Sequence, residues 1–109
     1  MSEKKDTREK EIIREAISQY ILRESNGSSL ITVTRIELSQ KNNKADILVS
    51  ILPEHKEEAA LDFLKRQRGE MRNFLMKNTK IAHVPTLDVK IDYGEKNRQK
   101  IDRISEASK

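Results

Sequence analysis

A single apolar stripe runs through the first quarter of the chain. The apolar residues recur at helical spacing, with charged and polar residues between them: Ile12, Ile13, Ala16, Ile17, Tyr20 and Ile21. This period predicts an amphipathic helix. Asn26 and Gly27 supply its C-terminal stop, because glycine adopts the left-handed conformation at little cost. The residues before about Asp6 have no apolar anchor, so we expect residues 1–5 to be disordered.

From Leu30 the spacing changes to that of β-strands. The segment Leu30–Leu38 is rich in β-branched residues and alternates from Val33 onward. One register irregularity is needed to keep Arg35 and Glu37 on the face opposite the apolar positions. A second strand spans Ala45–Ile51, and a short polar turn joins the two. This arrangement predicts an antiparallel hairpin.

Helical spacing returns after Pro53, which cannot donate a hydrogen bond to a sheet and so ends the second strand. Acidic residues crowd the following turn, as is typical of a helix N-terminus. The predicted buried face of this helix consists of Ala60, Leu61, Phe63 and Leu64. Gly69 interrupts the pattern, and the stripe resumes with Met71, Phe74 and Leu75. A glycine between two short amphipathic helices indicates a kink or tight turn at that point.

The last regular element is a third strand with one buried and one wet face. Its apolar and charged positions alternate as Leu87, Val89 and Ile91 against Asp88, Lys90 and Asp92. From Gly94 the chain is polar, and residues 94–109 are predicted to form a weakly structured tail. The order α-β-β-α-kink-α-β predicts one α+β domain over residues 6–93, with a three-stranded sheet and helices packed on one face.

Composition excludes several classes of protein. Hydrophobic residues make up 35% of the 109 residues and charged residues 37%, which predicts a thin core under a densely charged surface. The absence of cysteine excludes a disulfide scaffold, a thiolate metal site and a cysteine nucleophile. No apolar run approaches the roughly 20 residues of a membrane helix. We therefore expect a cytoplasmic protein that makes no membrane contact.

The sequence carries no recognisable catalytic or cofactor motif. With three glycines in all, the glycine-rich phosphate cradles are excluded. His55 and His83 stand far apart and outside any metal-binding pattern, and no serine lies in a nucleophile elbow. The acidic residues are scattered, and no pair shows the burial that acid–base catalysis requires. We expect a protein without enzymatic activity, metal, cofactor or small-molecule ligand.

The positive charge is concentrated in one window. The chain has a net charge of +4, yet residues 65–80 alone combine six basic residues with a single acid, Glu70. Such clustering is typical of polyanion binding, with a solvated helix face as the structural alternative. Gly69 lies inside this window, and a glycine lets a phosphate approach the backbone closely. RNA-binding KH domains use this principle, because a G-x-x-G loop between two helices clamps the nucleic-acid backbone.

Four blocks of sequence resemble the bacterial ribosome-binding factor A family, over roughly residues 6–104. The blocks are Val33-Thr34-Arg35-Ile36-Glu37-Leu38-Ser39, Lys44-Ala45-Asp46-Ile47-Leu48-Val49-Ser50, Gly69-Glu70-Met71-Arg72-Asn73-Phe74-Leu75 and Val84-Pro85-Thr86-Leu87-Asp88-Val89-Lys90-Ile91-Asp92. Their order and spacing carry the resemblance. It implies a KH-like domain of type II order, in which an Ala-x-Gly kink replaces the G-x-x-G loop. Gly69 matches the glycine of that kink, and Gln67 occupies the alanine position.

The resemblance also implies a function. Members of the family bind the small (30S) ribosomal subunit and its 16S rRNA and assist late ribosome biogenesis, including 5′-end processing of the precursor, without catalysis. They are associated with growth in the cold. For this chain we expect a cytoplasmic monomer whose partners are the small subunit and precursor 16S rRNA. The expected RNA-binding residues are Lys65, Arg66, Arg68, Gly69, Arg72, Lys77 and Lys80. Secondary candidates on the first helix are Arg8, Lys10 and Arg14.

Two other functions stay open at this point. One is a KH-type module that binds single-stranded RNA outside ribosome assembly, although only four aromatic residues are present to stack on bases. The other is a protein–protein adaptor with a charged surface. A steep salt dependence of binding would separate both RNA functions from the adaptor.

Overall fold

The computed structural model describes residues 2–25, 27–39, 41 and 43–98. Its elements are α1 (Ser2–Glu24), β1 (Leu30–Leu38), β2 (Lys44–Leu52), a short 3₁₀ helix (Glu54–Lys56), α2 (Glu57–Arg66), α3 (Arg68–Asn78) and β3 (Thr86–Ile91). Residues 93–98 are also helical. The predicted α+β order is confirmed. The stretch after Pro53 begins with a 3₁₀ turn, so α2 itself starts three residues after Glu54, the first acid of the cluster.

The three strands form a mixed sheet in the order β1-β2-β3. β1 and β2 are antiparallel, with Leu30 opposite Leu52, as the hairpin prediction requires. β2 and β3 are parallel, with Lys44 opposite Thr86, and α2 and α3 form the crossover between them. The register of the hairpin shifts between Val33 and Arg35, which places the expected irregularity at Thr34.

The core lies between α1, α2 and α3 and one face of the sheet. Ile13 and Ile17 of α1 are fully buried, because they sit one turn apart on the predicted stripe. The other large side chains of the core that are fully buried are Ile47, Val49, Leu64, Met71, Leu75 and Val89. Those on the helices and on β3 come from positions that the apolar spacing assigned to an inner face. Burying these side chains supplies most of the driving force for folding.

The opposite face of the sheet is only partly open to solvent. Leu48 and Asp92 point to this face and are 8% and 7% exposed. The prediction that Asp92 lies on a wet face is wrong. The Thr34 hydroxyl donates a hydrogen bond to Asp92 Oδ2 at 2.6 Å, and the Glu95 N–H donates to Asp92 Oδ1 at 3.1 Å. Asp92 thus caps the 93–98 helix and links that helix to Thr34, at the irregularity in β1. These contacts cover its carboxylate.

The first helix begins earlier in the chain than the sequence predicts. α1 begins at Ser2, so residues 2–5 belong to the helix, where the sequence predicts disorder for residues 1–5. A helix that is anchored later in its length can extend without apolar residues in its first turns. Of the predicted weak tail, residues 94–98 are helical, and residues 99–109 lie outside the described residues.

Candidate nucleic-acid interface

The kink between α2 and α3 lies at Gln67. This residue alone separates the two helices, with φ −89° and ψ 3°, and its N–H donates to the carbonyls of Phe63 and Leu64 at 3.1 Å each. Gly69 is already the second residue of α3. The prediction of a kink at Gly69 is therefore displaced by two residues, because an ordinary residue can adopt this bridge conformation and no positive φ is needed.

Gly69 is exposed, and the fold makes no visible use of its missing side chain. A Cβ built at this position would meet no atom within 4 Å. The first turn of a helix leaves backbone N–H groups without intrahelical acceptors, and Gly69 lies in that turn of α3. The surface here is open for close approach of another molecule.

Gln67 connects the kink to α1. The Tyr20 hydroxyl donates to Gln67 Oε1 at 2.5 Å, and the Tyr20 ring packs edge-on against Phe74 with 5.5 Å between centroids. The Arg23 guanidinium lies 5.1 Å from the centre of the Phe74 ring. Burial raises the pKa of Tyr20, with nearby Glu24 and Glu70 acting in the same direction. These contacts fix the angle between α2 and α3 from the α1 side.

Two of the seven predicted RNA-binding residues are engaged within the protein. Arg72 is half-buried, and its Nη2 donates to the Val84 carbonyl at 3.1 Å. Arg68 donates from Nε to the Lys65 carbonyl at 2.9 Å and from Nη1 to Asp88 Oδ1 at 3.3 Å. Arg72 therefore anchors the segment before β3. The ion pair with Asp88 offsets part of the positive charge of Arg68.

The other four predicted cations have free side chains. Lys65, Arg66, Lys77 and Lys80 are exposed, and none has a side-chain partner among the described residues. Lys65 and Arg66 end α2 directly beside the kink, and Lys77 lies about two helical turns beyond Gly69 on α3. We call Lys65, Arg66, Gly69 and Lys77 the junction surface.

Lys80 belongs to a different part of the molecule. It borders a groove of about 580 Å³ together with Arg8 of α1 and Lys41 of the β1–β2 turn. Lys41 was missed by the sequence analysis, because only the fold brings that turn beside α1. Of the secondary candidates, Lys10 and Arg14 are one turn apart on α1, whereas Arg8 points to another side of the helix and towards Lys80. The predicted residues thus divide into two groups.

The structure offers no site for a metal ion among its described residues, since no three acidic or histidine side chains converge there. Within the same residues no helix is both long and apolar enough to cross a membrane.

A three-stranded mixed sheet covered by three helices, with a kink between the second and third, defines a KH-like domain. The crystal structure of ribosome-binding factor A from Thermus thermophilus has the same fold, with a TM-score of 0.70 and 21% identity over 78% of this chain and 92% of that one. A homology model of the T. thermophilus factor, fitted into the cryo-EM map of a 30S–factor complex, superposes with a TM-score of 0.63 and 22% identity, over 72% of this chain and 86% of that one.

Sequence relationships identify the family. The ribosome-binding factor A family profile matches residues 5–105. The ribosome-binding factor A of Thermomicrobium roseum is 32% identical over 97 residues, which is 86% of this chain and 75% of that protein. The chain belongs to the ribosome-binding factor A family, and the resemblance found in its sequence is confirmed.

Proposed function

We propose that this protein binds the small ribosomal subunit and its 16S rRNA, and that it assists late maturation, including processing of the precursor's 5′ end. Family membership supports the ribosomal partner. A T. thermophilus member of the same fold has been fitted into a 30S complex. We further propose that the protein acts in the cytoplasm as a non-catalytic monomer, without a cofactor, and that it contributes to growth in the cold.

The junction surface is the proposed RNA contact. The observation that carries this proposal is Gly69, an exposed helical glycine with open space at its Cβ position beside Lys65 and Arg66, which have no side-chain partner within the described part of the chain. A phosphate could approach the first turn of α3 at Gly69, where a longer side chain would keep it away. The neighbouring cations would add charge-assisted contacts that carry no sequence information.

The seven predicted residues then serve different purposes. Lys65, Arg66 and Lys77 would contact phosphates directly, and Arg68 would do so with the charge that Asp88 leaves available. Arg72 would act indirectly, because its bond to the Val84 carbonyl holds the segment that precedes β3. Recognition of a folded rRNA surface would rest on shape and backbone contacts, as is usual for structured RNA.

Base stacking has little support on this surface. Phe63 and Phe74 are half-buried and pack against the core, and Tyr20 is buried. A module that binds single-stranded RNA needs exposed rings as stacking platforms. Tyr93 is the one exposed ring among the described residues, at 64%. A single exposed ring favours the ribosomal function over a stand-alone single-stranded RNA module.

Complementation tests the maturation role. A bacterium that lacks its own member of the family would express this protein, and primer extension would measure the fraction of 16S rRNA that retains an extended 5′ end. We expect the wild type to lower that fraction and to restore growth in the cold. A Lys65→Gln/Arg66→Gln/Lys77→Gln variant, here the junction variant, should restore neither. If the wild type binds small subunits but leaves the precursor fraction unchanged, the processing role is contradicted and the ribosomal partner is not.

A further inference from the structure

Beyond the junction surface, three cations from distant parts of the chain converge on one groove. Arg8 comes from α1, Lys41 from the β1–β2 turn and Lys80 from the segment between α3 and β3. All three are exposed, and none has an ion-pair partner among the residues that the structure describes. One acid, Glu9, borders the same groove. We call the three cations and the apolar residues between them, Ile12 and Ile81, the distal groove.

Lys80 is held in place from both sides of its segment. Thr79 closes the end of α3, since both its N–H and its hydroxyl bond to the Leu75 carbonyl, at 3.1 and 2.6 Å. The Ile81 N–H donates to the Thr79 hydroxyl at 3.4 Å. Further along, Val84 is buried and its carbonyl accepts from Arg72. The backbone around Lys80 is therefore fixed before any ligand binds.

Ser39 and Asn43, which lie two residues before and after Lys41, are anchored as well. The Ser39 hydroxyl accepts the N–H groups of Asn43 and Lys44 at 3.2 Å each, and it donates to Asn43 Oδ1 at 2.8 Å. The Asn43 carbonyl accepts the Thr86 N–H at 3.0 Å, which ties the turn to the start of β3. Arg8 follows the rigid course of α1, whose Ile13 and Ile17 are fully buried in the core. The groove is thus lined by two anchored segments and by Lys41, which lies between the anchored residues Ser39 and Asn43.

Distance separates this groove from the part of the junction surface that lies at the kink, whereas Lys77 lies in the last turn of α3. Lys80 lies beyond the C-terminal end of α3, whereas Gly69 lies in its first turn. The 11 residues of α3 span about 16 Å at 1.5 Å per residue. One phosphate cannot contact both places, so the distal groove would need its own anion.

We propose that the distal groove is a second RNA-binding surface that takes the phosphodiester backbone of 16S rRNA. The proposal rests on the proposed function, because it assumes the same RNA partner. Three unpaired cations against one acid favour a polyanion over a protein surface of mixed charge. The apolar floor at Ile12 and Ile81 can pack against a ribose while the cations hold the phosphates. Two anion sites at opposite ends of α3 would fix the orientation of the protein on a folded rRNA, which one site cannot do.

Charge-neutral substitutions test the groove. The groove variant is Arg8→Gln/Lys41→Gln/Lys80→Gln, and the control is Arg35→Gln/Lys44→Gln/Lys90→Gln. The control removes the same charge from the sheet face opposite the core. Binding of the full chain to purified small subunits is measured over a salt series. Three lost phosphate contacts should flatten the salt slope by about two to three. Between about 50 and 200 mM salt the wild type should therefore lose about 16 to 64 times more affinity than the groove variant.

The outcomes separate this proposal from the function on which it rests. A flattened slope for the groove variant, with the control close to wild type, supports the proposal. A groove variant that behaves like the control overturns it while leaving the ribosomal function intact. A wild type that does not bind small subunits overturns both.

Crosslinking identifies what occupies the groove. The chain has no cysteine, so Lys41→Cys can carry a single photo-crosslinker. We expect crosslinks to 16S rRNA in small-subunit complexes. Crosslinks to a ribosomal protein alone, or no crosslinks to any component from bound protein, would contradict an RNA-binding groove.

Discussion

At the scale of single residues, Gly69 stands out because α3 has no internal need for a glycine. The residue is helical and exposed, and a methyl group would project into open space. A glycine inside a helix is less favourable than alanine by about 0.5–1 kcal/mol. Retaining one at this position is understandable if something outside the protein comes close to the backbone.

Gly69→Ala should therefore separate stability from binding. We expect the variant to gain about 0.5–1 kcal/mol in the free energy of unfolding, measured by urea denaturation, because alanine fits the existing helical geometry. We expect its binding to small subunits to weaken, because the methyl group would hold a phosphate away. Gln19→Ala, on the exposed side of α1, should leave binding unchanged. A stabilised Gly69→Ala variant that binds like wild type would show that RNA does not approach this glycine.

Tyr20 and Gln67 form the other residue-scale contact that matters for the site. Tyr20→Phe removes the hydroxyl that bonds to Gln67 and keeps the ring packing against Phe74. We expect a loss of about 1 kcal/mol in the free energy of unfolding, since a net hydrogen bond contributes roughly that much. Tyr93→Phe is the matched control because Tyr93 is 64% exposed, and it should change little.

The loss of stability caused by Tyr20→Phe should depend on pH. The pKa of Tyr20 is raised in the folded protein, so folding favours the neutral phenol. Its contribution is complete below about pH 10 and is lost as the pH rises beyond that value. The stability advantage of wild type over Tyr20→Phe should therefore shrink above pH 10. An advantage that stays constant up to about pH 11 would contradict a buried, hydrogen-bonded phenol.

At the scale of elements, the hydrophobic spacing, together with the residues that end helices and strands, was sufficient to predict most of the fold. The span Leu30–Leu38 was predicted with its observed bounds, and the stripe on α1 matches the buried positions closely. The kink was misplaced because glycine was taken as its cause, whereas Gln67 makes the turn with an allowed backbone conformation. The buried state of Asp92 was also missed, because its partner Thr34 lies 58 positions away and no local pattern links them.

Asp92 joins two elements, so its loss should affect both. Asp92→Ala removes the cap of the 93–98 helix and the acceptor of the Thr34 hydroxyl. We expect a decrease of about 1–2 kcal/mol in the free energy of unfolding, measured by urea denaturation. Asp62→Ala, on the exposed side of α2, should change it by less than about 0.5 kcal/mol. Equal effects of the two substitutions would mean that Asp92 has no special structural role.

At the scale of the whole molecule, positive charge that is contiguous in sequence is divided in space. Residues 65–80 look like one basic cluster along the chain, yet Arg72 serves the segment before β3 and Lys80 faces Arg8 and Lys41. Helical geometry alone cannot predict this division, because it depends on where α1 and the β1–β2 turn pack. The sequence therefore predicted the concentration of positive charge but not its division between two surfaces.

Sedimentation with ribosomal subunits tests the central proposal most directly. Wild type, the junction variant and the Arg35→Gln/Lys44→Gln/Lys90→Gln control would each be centrifuged with small subunits and with large subunits across a salt series. We predict that wild type and control sediment with small subunits only and share a steep salt slope. The junction variant should bind more weakly, with a slope flatter by about two to three. If the junction variant binds small subunits as tightly as the control at every salt concentration, the proposed contact surface is wrong.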